Sequence, residues 1–222
     1  MTRYVLIPGA GGAAWYFSRV VPMLEASGHE AVAVDLPGDD DTAGLPEYTQ
    51  RAVDAAQGAD DVVLVAQSLG GFTAPLVCRR IPVRSLVLVN AMIPAPGETA
   101  GAWWGNVGAI EARLDAADAG GYSREFDEQV YFLHDVSPDV AAEGLPYQRP
   151  EADVVFGQPC DFGSWPDVPI SVLVGRDDRF FPAAFQQRVA RDRLGVQATV
   201  LPGGHLIALA DPRNLADQLL TV

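Results

Sequence analysis

Positive charge is scarce in this sequence. Its 222 residues include 15 Lys or Arg against 29 Asp or Glu, which gives a formal net charge of -14 at pH 7. Without a basic patch the chain cannot neutralise phosphate groups, so binding to nucleic acid or to an anionic membrane surface is not expected. The acidic residues are scattered apart from the run 39–41, which we interpret as a solvated loop and not as a metal site.

Cysteine and long apolar runs are also rare. The two cysteines, Cys78 and Cys160, fit no metal-binding or redox spacing, and we expect both to be reduced. No segment has the length that a membrane span needs, and the apolar run near the amino terminus is too short for a signal peptide. These features favour a cytoplasmic protein.

The sequence does contain a regular alternation of short apolar runs with helix-like segments. The runs are rich in Val, Leu and Ile without polar alternation, which is typical of strands buried on both faces of a parallel sheet. The alternation predicts an α/β domain with a doubly wound, mostly parallel sheet. The predicted strands are 4–8, 31–35, 62–66, 85–90, 170–175 and 196–201, and the predicted helices are 15–27, 46–57, 71–80, 183–194 and 211–220.

Residues 94–168 interrupt this alternation. They show no buried-strand pattern, and they are too many for a plain loop in a compact domain. We therefore predict that 1–93 and 169–222 form the core and that 94–168 is an inserted, partly helical lid at the carboxyl ends of the strands. Its aromatic side chains are candidates either for a substrate pocket or for plain packing: Trp103, Trp104, Tyr131 and Phe132.

The glycine-rich loop after the first predicted strand allows two interpretations. Gly9, Gly11 and Ala14 form G-x-G-x-x-A, and Asp35 ends the next strand at the position of a ribose-binding acid, as in a dinucleotide site. However, Pro8 removes a backbone donor beside the phosphate turn. This interpretation also leaves the motifs further along the chain unexplained.

The second interpretation starts from residues 66–70, AQSLG, which match the nucleophile elbow G-x-S-x-G with Ala for the first Gly. The serine of such a strand-to-helix turn has a strained backbone, so its neighbours must be small. Ser68 is therefore the predicted nucleophile. The backbone N–H of Leu69 would face a developing oxyanion, and the opening loop would supply the second donor through the N–H of Ala10.

A serine hydroxyl needs a base to take its proton. His205 follows the last predicted strand in PGGH, whereas His29 and His134 lie where a surface or structural role is expected. Asp177 and Asp178 follow the penultimate strand, and a carboxylate there could orient the imidazole. The chain order Ser, Asp, His is the one found in α/β sheets with this elbow.

These motifs together resemble the α/β-hydrolase superfamily, and more narrowly the plant methylesterase and hydroxynitrile lyase group with its bacterial relatives. The resemblance covers nearly the whole chain, including PMLEASGHEAVAVDLPG, AQSLGG, YFLHDVSPDVA, GRDDRFFPAAFQQ and PGGH. It implies that the acid is Asp178, four residues before Pro182. It also implies a Ser-His-Asp triad that cleaves a carboxylic ester through an acyl-enzyme, with no cofactor and no metal.

The resemblance also distinguishes between reactions within the group. Its lyases carry Lys directly after the catalytic His and Thr in the opening loop, whereas this chain has Leu206 and Gly9. Both residues favour hydrolysis of a small, largely apolar ester. Pro8 replaces the usual His of the group, and Ala66 with Gln67 replaces Gly-His. The alternatives are a lyase or C–C bond hydrolase with the same triad, a non-catalytic receptor for a small ligand, and an NAD-dependent oxidoreductase.

Overall fold

Six parallel strands form one sheet at the centre of the computed structural model, which describes residues 1–222. Their order across the sheet is β2-β1-β3-β4-β5-β6. The predicted fold class, an α/β domain with a parallel sheet, is confirmed. The strands are β1 Arg3–Ile7, β2 Glu30–Ala33, β3 Val62–Gln67, β4 Ser85–Val89, β5 Ile170–Gly175 and β6 Thr199–Leu201.

Helices connect the strands and cover both faces of the sheet. The predicted helix 15–27 is two elements in the structure, because Pro22 lacks an N–H and is accommodated in the first turn of a new helix. The α-helices are α1 Val21–Ala26, α2 Leu45–Ala55, α3 Gly70–Cys78, α4 Ala100–Asn106, α5 Ala109–Gly120, α6 Glu128–Tyr131, α7 Pro138–Gly144, α8 Val154–Gly157, α9 Ala183–Leu194, α10 Ile207–Ala210 and α11 Pro212–Leu219, with 3₁₀ helices at Ala14–Phe17 and Leu145–Tyr147.

The core consists of two apolar clusters, one on each face of the sheet. Successive side chains of a strand point to opposite faces, so Leu64 of β3 joins a cluster of 35 buried residues with α2, α3 and α9. Its neighbours Val63 and Val65 join a cluster of 19 with α1, α10 and α11. All six residues of β3 are buried. Burial on both faces explains why the strands lack polar alternation.

Residues 94–168 contain helices and no strand of the sheet, and an isolated bridge joins Thr99 to Pro159 within the segment. The two ends of this segment are built into the main core, because Trp103 of α4 and Val155 of α8 belong to the larger apolar cluster. Its role as a lid stays a prediction. None of the helices in the molecule combines the length and the apolar character needed to cross a bilayer.

Parallel strands place their carboxyl ends at one edge of the sheet. The loops after β3, β4, β5 and β6 therefore meet there, and they contain Ser68, Asn90, Asp178 and His205 respectively. Cys78 and Cys160 are both free thiols, as expected from the sequence.

Candidate active site

Ser68 occupies a tight turn between β3 and α3. Its φ is 50°, and Asn90 with a φ of 45° is the one other non-glycine residue in the left-handed region. Such backbone strain costs about 1–3 kcal/mol and is concentrated at functional sites. The turn is crowded, since a Cβ at Gly70 would lie 2.6 Å from the carbonyl oxygen of Pro8 and one at Gly71 would lie 1.9 Å from that of Met92. The glycines after the serine are therefore a steric requirement of this elbow.

Three of the predicted residues form one hydrogen-bonded chain. The Oγ of Ser68 lies 3.1 Å from Nε2 of His205, and Nδ1 of His205 lies 2.8 Å from Oδ2 of Asp178. All three side chains are buried. A carboxylate can only accept, so Asp178 fixes Nδ1 as the protonated nitrogen and leaves Nε2 with a lone pair that faces the serine hydroxyl.

Asp177, the neighbour of this carboxylate, points elsewhere. Its Oδ2 lies 3.1 Å from Nη2 of Arg176 and accepts the N–H of Gly203. The hydrogen bond with Arg176 is the main reason that the pKa of Asp177 is below its ordinary value. The two adjacent aspartates thus have different environments, and only Asp178 contacts the histidine.

The Asp178 carboxylate is saturated with donors. Its Oδ1 accepts the backbone N–H groups of Phe180 and Phe181, each at 2.8 Å. Its Oδ2 accepts Nε2 of Gln186 at 3.0 Å in addition to the imidazole of His205. Four donors on one group hold its rotamer in a single orientation. Sequence reasoning missed Gln186, because a polar residue in a helix carries no signal of what it faces.

Phenylalanine rings surround the imidazole of His205. Phe132 stacks on it with the ring centroids 5.0 Å apart, and the edges of Phe180 and Phe181 meet it at 5.2 Å. These rings exclude water from the hydrogen bonds of the imidazole, which strengthens those bonds. Phe132 comes from the 94–168 segment, so this segment takes part in building the site.

Asn90 holds the backbone around the histidine. Its Nδ2 donates to the carbonyl oxygens of Gly204 and His205 at 3.0 and 3.1 Å, and its Oδ1 accepts the N–H of Gly175 at 2.7 Å. The side chain is fully buried. Sequence reasoning missed this residue, although one signal was present: an Asn ends the apolar run of β4 at the sheet edge where a Ser follows β3.

The two predicted oxyanion donors lie close to the serine in the fold. Leu69 directly follows Ser68 in the chain. The opening loop packs against Ser68, since a Cβ at Gly9 would lie 2.8 Å from Cβ of Ser68. Neither the N–H of Leu69 nor that of Ala10 donates to an acceptor within the protein. These two groups are therefore free to bind an oxygen atom of a ligand.

A cavity of about 490 Å³ adjoins this site, and Ala10 and Gln67 belong to its wall. Phe132 lines this cavity, whereas Trp103, Trp104 and Tyr131 lie outside its wall; which side chains contact a substrate stays a prediction. Trp103 and Tyr131 are buried in packing and use their polar atoms internally, on the carbonyl oxygens of Ile93 and Ser123. The apolar and aromatic lining of the cavity includes Ala13, Trp15, Tyr16, Phe126, Leu133, Ala141, Tyr147, Leu206 and Leu209.

The other two histidines lie outside this chain of hydrogen bonds. His29 packs edge-on against Tyr4 at 5.4 Å, and His134 lies 4.0 Å from a carboxylate oxygen of Asp135. Only His205 contacts the serine. No group of three or more His, Cys, Asp or Glu side chains is close enough to hold a metal ion.

The opening loop does not fit a dinucleotide. The carboxylate of Asp35 is bound by both terminal nitrogens of Arg149, at 2.9 and 3.2 Å, and by the N–H of Ala14. Burial raises the pKa of Asp35, but these hydrogen bonds outweigh burial and lower it below the ordinary value. The loop is followed by a four-residue 3₁₀ helix and not by the α-helix N-terminus that would bind a pyrophosphate.

Comparison with known proteins assigns this arrangement to a family. Residues 4–218 match the profile of the alpha/beta hydrolase family, and the chain belongs to this family. The resemblance inferred from the elbow, the acid and the histidine is thereby confirmed.

Individual relatives extend the comparison. A probable esterase of rice, PIR7A, is 36% identical over 111 residues, which cover 45% of this chain and 42% of the rice protein. A pyrethroid hydrolase of Sphingobium wenxiniae is 26% identical over an alignment of 242 residues, covering 99% of this chain and 86% of that protein. Polyneuridine aldehyde esterase has the same fold, with a TM-score of 0.80 and 18% identity over 100% of this chain and 98% of the other.

Proposed function

We propose that this protein is a carboxylic ester hydrolase that cleaves a small, largely apolar ester through an acyl-enzyme. The observation that carries the proposal is the buried hydrogen-bonded chain from Ser68 through His205 to Asp178, at a strained elbow beside an apolar cavity. The names of the relatives, which include esterases, methylesterases and a pyrethroid hydrolase, support ester hydrolysis.

In the proposed reaction, Oγ of Ser68 forms a bond to the ester carbonyl carbon while Nε2 of His205 takes the hydroxyl proton. The imidazolium is stabilised by Asp178 and gives this proton to the leaving alkoxide. Water then loses a proton to the same nitrogen and attacks the acyl carbon; the bond from this carbon to Oγ of Ser68 breaks as the imidazolium returns the proton to Oγ, which releases the acid. The backbone N–H groups of Ala10 and Leu69 hold the oxyanion of each tetrahedral intermediate, and each is worth about 10²- to 10³-fold in turnover.

The cavity supports a neutral substrate. Most of its lining is apolar or aromatic, and its cation, Arg149, is already paired with Asp35. A carboxylate or phosphate on the substrate would therefore find no free positive partner. Leu206 lines the cavity directly after the base, where the lyases of the group have Lys, and this supports hydrolysis over cyanohydrin cleavage.

The intact mass of the protein after treatment with a fluorophosphonate tests the nucleophile. We expect one adduct on the wild type and none on Ser68→Ala. Ser85→Ala is the matched control, because Ser85 is also buried but lies at the amino end of β4, whereas Ser68 follows the carboxyl end of β3. It should be labelled like the wild type.

Two results would overturn the proposal. Equal labelling of Ser68→Ala and wild type would exclude Ser68 as the nucleophile. Labelled wild type that cleaves a cyanohydrin or a diketone, with little turnover of aryl and methyl esters, would assign the same triad to a lyase or a C–C bond hydrolase.

A further inference from the structure

Two side chains of the 94–168 segment, those of Arg149 and Glu151, form hydrogen bonds with Gly11 of the opening loop. The N–H of Gly11 donates to Oε2 of Glu151 at 2.5 Å, and its carbonyl oxygen accepts Nε–H of Arg149 at 3.1 Å. The contact is close, since a Cβ at Gly11 would lie 2.6 Å from the backbone oxygen of Arg149. Both polar backbone groups of this residue are thus held by the segment.

Each of the two side chains also binds a residue that lies outside both the 94–168 segment and the opening loop. The terminal nitrogens of Arg149 bind the carboxylate of Asp35, which follows β2. The second oxygen of Glu151, Oε1, accepts the hydroxyl hydrogen of Tyr48 in α2 at 2.5 Å. The two side chains therefore connect three parts of the molecule: the 94–168 segment, the opening loop, and the residues of α2 and of the loop after β2 that bind them.

The position of Gly11 determines where the neighbouring N–H groups point. Residues 9–12 form a tight turn in which the N–H of Gly12 donates to the carbonyl oxygen of Gly9 at 3.1 Å. In a trans peptide the C=O and the following N–H point in opposite directions, so the N–H of Ala10 is directed away from the inside of this turn. A turn held at Gly11 therefore holds the direction of the Ala10 N–H as well.

We infer that Arg149 and Glu151 are positioning residues that keep the Ala10 N–H aimed at the carbonyl oxygen of a substrate at Ser68. This inference rests on the proposed hydrolase function. It gives the 94–168 segment a part in catalysis, because the second oxyanion donor has its required direction only while Arg149 and Glu151 hold Gly11.

The expected signature is a loss of turnover without a loss of binding. An oxyanion donor acts mainly in the transition state, so its misalignment lowers kcat and leaves KM nearly constant. Full loss of one donor costs about 10²- to 10³-fold, and we expect partial misalignment to cost about 10- to 100-fold. A side chain with only a structural role would lower the melting temperature and leave kcat per folded molecule unchanged.

The test compares three carboxylate variants in the hydrolysis of an aryl ester. Glu151→Ala removes the acceptor of the Gly11 N–H and should lower kcat by about 10- to 100-fold. Glu151→Gln should restore most of it, because the amide oxygen can accept from Gly11 while its NH₂ donates to the hydroxyl oxygen of Tyr48. Glu143→Ala is the control, since Glu143 also links the segment to the core, through Arg19 at 2.6 Å, but has no contact with the loop.

Two further measurements separate positioning from stability. The affinity for a trifluoromethyl ketone, which forms an oxyanion on the serine, should fall in parallel with kcat in Glu151→Ala. Arg149→Lys keeps the charge beside Asp35 but lacks the planar fork that binds Asp35 and Gly11 together, and it should show the same loss. This second variant decides the question where Glu151→Ala does not fold.

Amide hydrogen exchange tests the hydrogen bond between Gly11 and Glu151 independently of any activity. Exchange at the Gly11 N–H should be faster in Glu151→Ala and unchanged in Glu143→Ala. Unchanged exchange and unchanged kcat would refute the inference, and faster exchange with unchanged kcat would refute the positioning role. If the wild type cleaves no ester, but exchange at the Gly11 N–H is faster in Glu151→Ala and unchanged in Glu143→Ala, the hydrolase function is refuted while the role of Glu151 in holding the loop is supported.

Discussion

The substitution Asp178→Asn tests the proposed acid by changing one atom of a fully bonded group. In the folded protein Oδ1 of Asp178 accepts two backbone N–H groups, those of Phe180 and Phe181. Its Oδ2 accepts from Gln186 and His205. All four partners are donors, whereas an asparagine amide has one acceptor oxygen and one donor NH₂. In either orientation, the NH₂ of the variant faces two donors.

The expected loss of activity follows from the orientation in which the amide oxygen of the variant keeps the hydrogen bonds from the N–H groups of Phe180 and Phe181. The NH₂ then donates to Nδ1 of His205, which places the ring hydrogen on Nε2 and prevents it from taking the proton of Ser68. The loss of kcat should be about 10⁴-fold, as is typical of a triad acid that loses its charge, and this corresponds to about 5.4 kcal/mol. The repulsive contact with Gln186 should also lower the free energy of unfolding by about 1–3 kcal/mol.

The assay is the hydrolysis of an aryl ester together with urea unfolding of the same samples. Asp177→Asn is the control, because Asp177 is an exposed side chain in an ion pair with Arg176, and such a pair contributes at most about 1 kcal/mol. It should leave kcat within about twofold of the wild type. Comparable losses in the two variants, or a larger loss at Asp177, would refute the assignment.

Two further predictions concern stability. Gly71→Ala would place a Cβ 1.9 Å from the carbonyl oxygen of Met92 and should lower the free energy of unfolding by about 3 kcal/mol or more. Gly105→Ala adds a methyl group in open space within α4 and should raise the free energy of unfolding by about 0.5–1 kcal/mol. Equal free energies of unfolding in urea for the two glycine variants would contradict the crowding at the elbow. Burial raises the pKa of Glu98, but hydrogen bonds, above all from Arg193, bring it below its ordinary value. Its stabilising contribution is therefore complete above the unfolded pKa of about 4.3 and lost as pH falls through the lower folded value. Glu98→Gln should be less stable than the wild type at pH 7, with a difference that closes in acid; a difference that widens would refute this.

The sheet could be predicted because each of its central strands is buried on both faces. The apolar run 62–66 corresponds to β3 with a difference of one residue, and 170–175 is β5 as predicted. Strand β6 could not be bounded in this way. It pairs with β5 only from Thr199 onward, although β5 already begins at Ile170, so the start of this strand depends on its contacts with neighbouring elements and not on its own apolar run. That information lies in another part of the chain.

The contact between Ser68 and His205 could be predicted because each residue follows a strand whose carboxyl end lies on the same side of the sheet. Spacing could not choose between Asp177 and Asp178, because both directly follow β5; the family resemblance made that choice. Of the four aromatic residues singled out in the 94–168 segment, Phe132 lines the cavity, since periodicity does not distinguish a ring that faces a cavity from one that faces the core. Arg149 and Glu151 gave no signal, because their partners in the opening loop lie 138 and 140 residues away in sequence.

Asn90 explains why two strained residues occur side by side in this molecule. It directly follows β4 and has a φ of 45°, a conformation that Asn tolerates better than most residues. From there its side chain binds the N–H of Gly175, at the end of β5, and the carbonyl oxygens of Gly204 and His205, in the loop after β6. A right-handed conformation would turn the chain elsewhere at this point and separate the amide from both loops. The side chain of Asn90 therefore joins the end of β5 to the loop that carries His205, while the turn at Ser68, beside the adjacent strand, presents its hydroxyl to the imidazole.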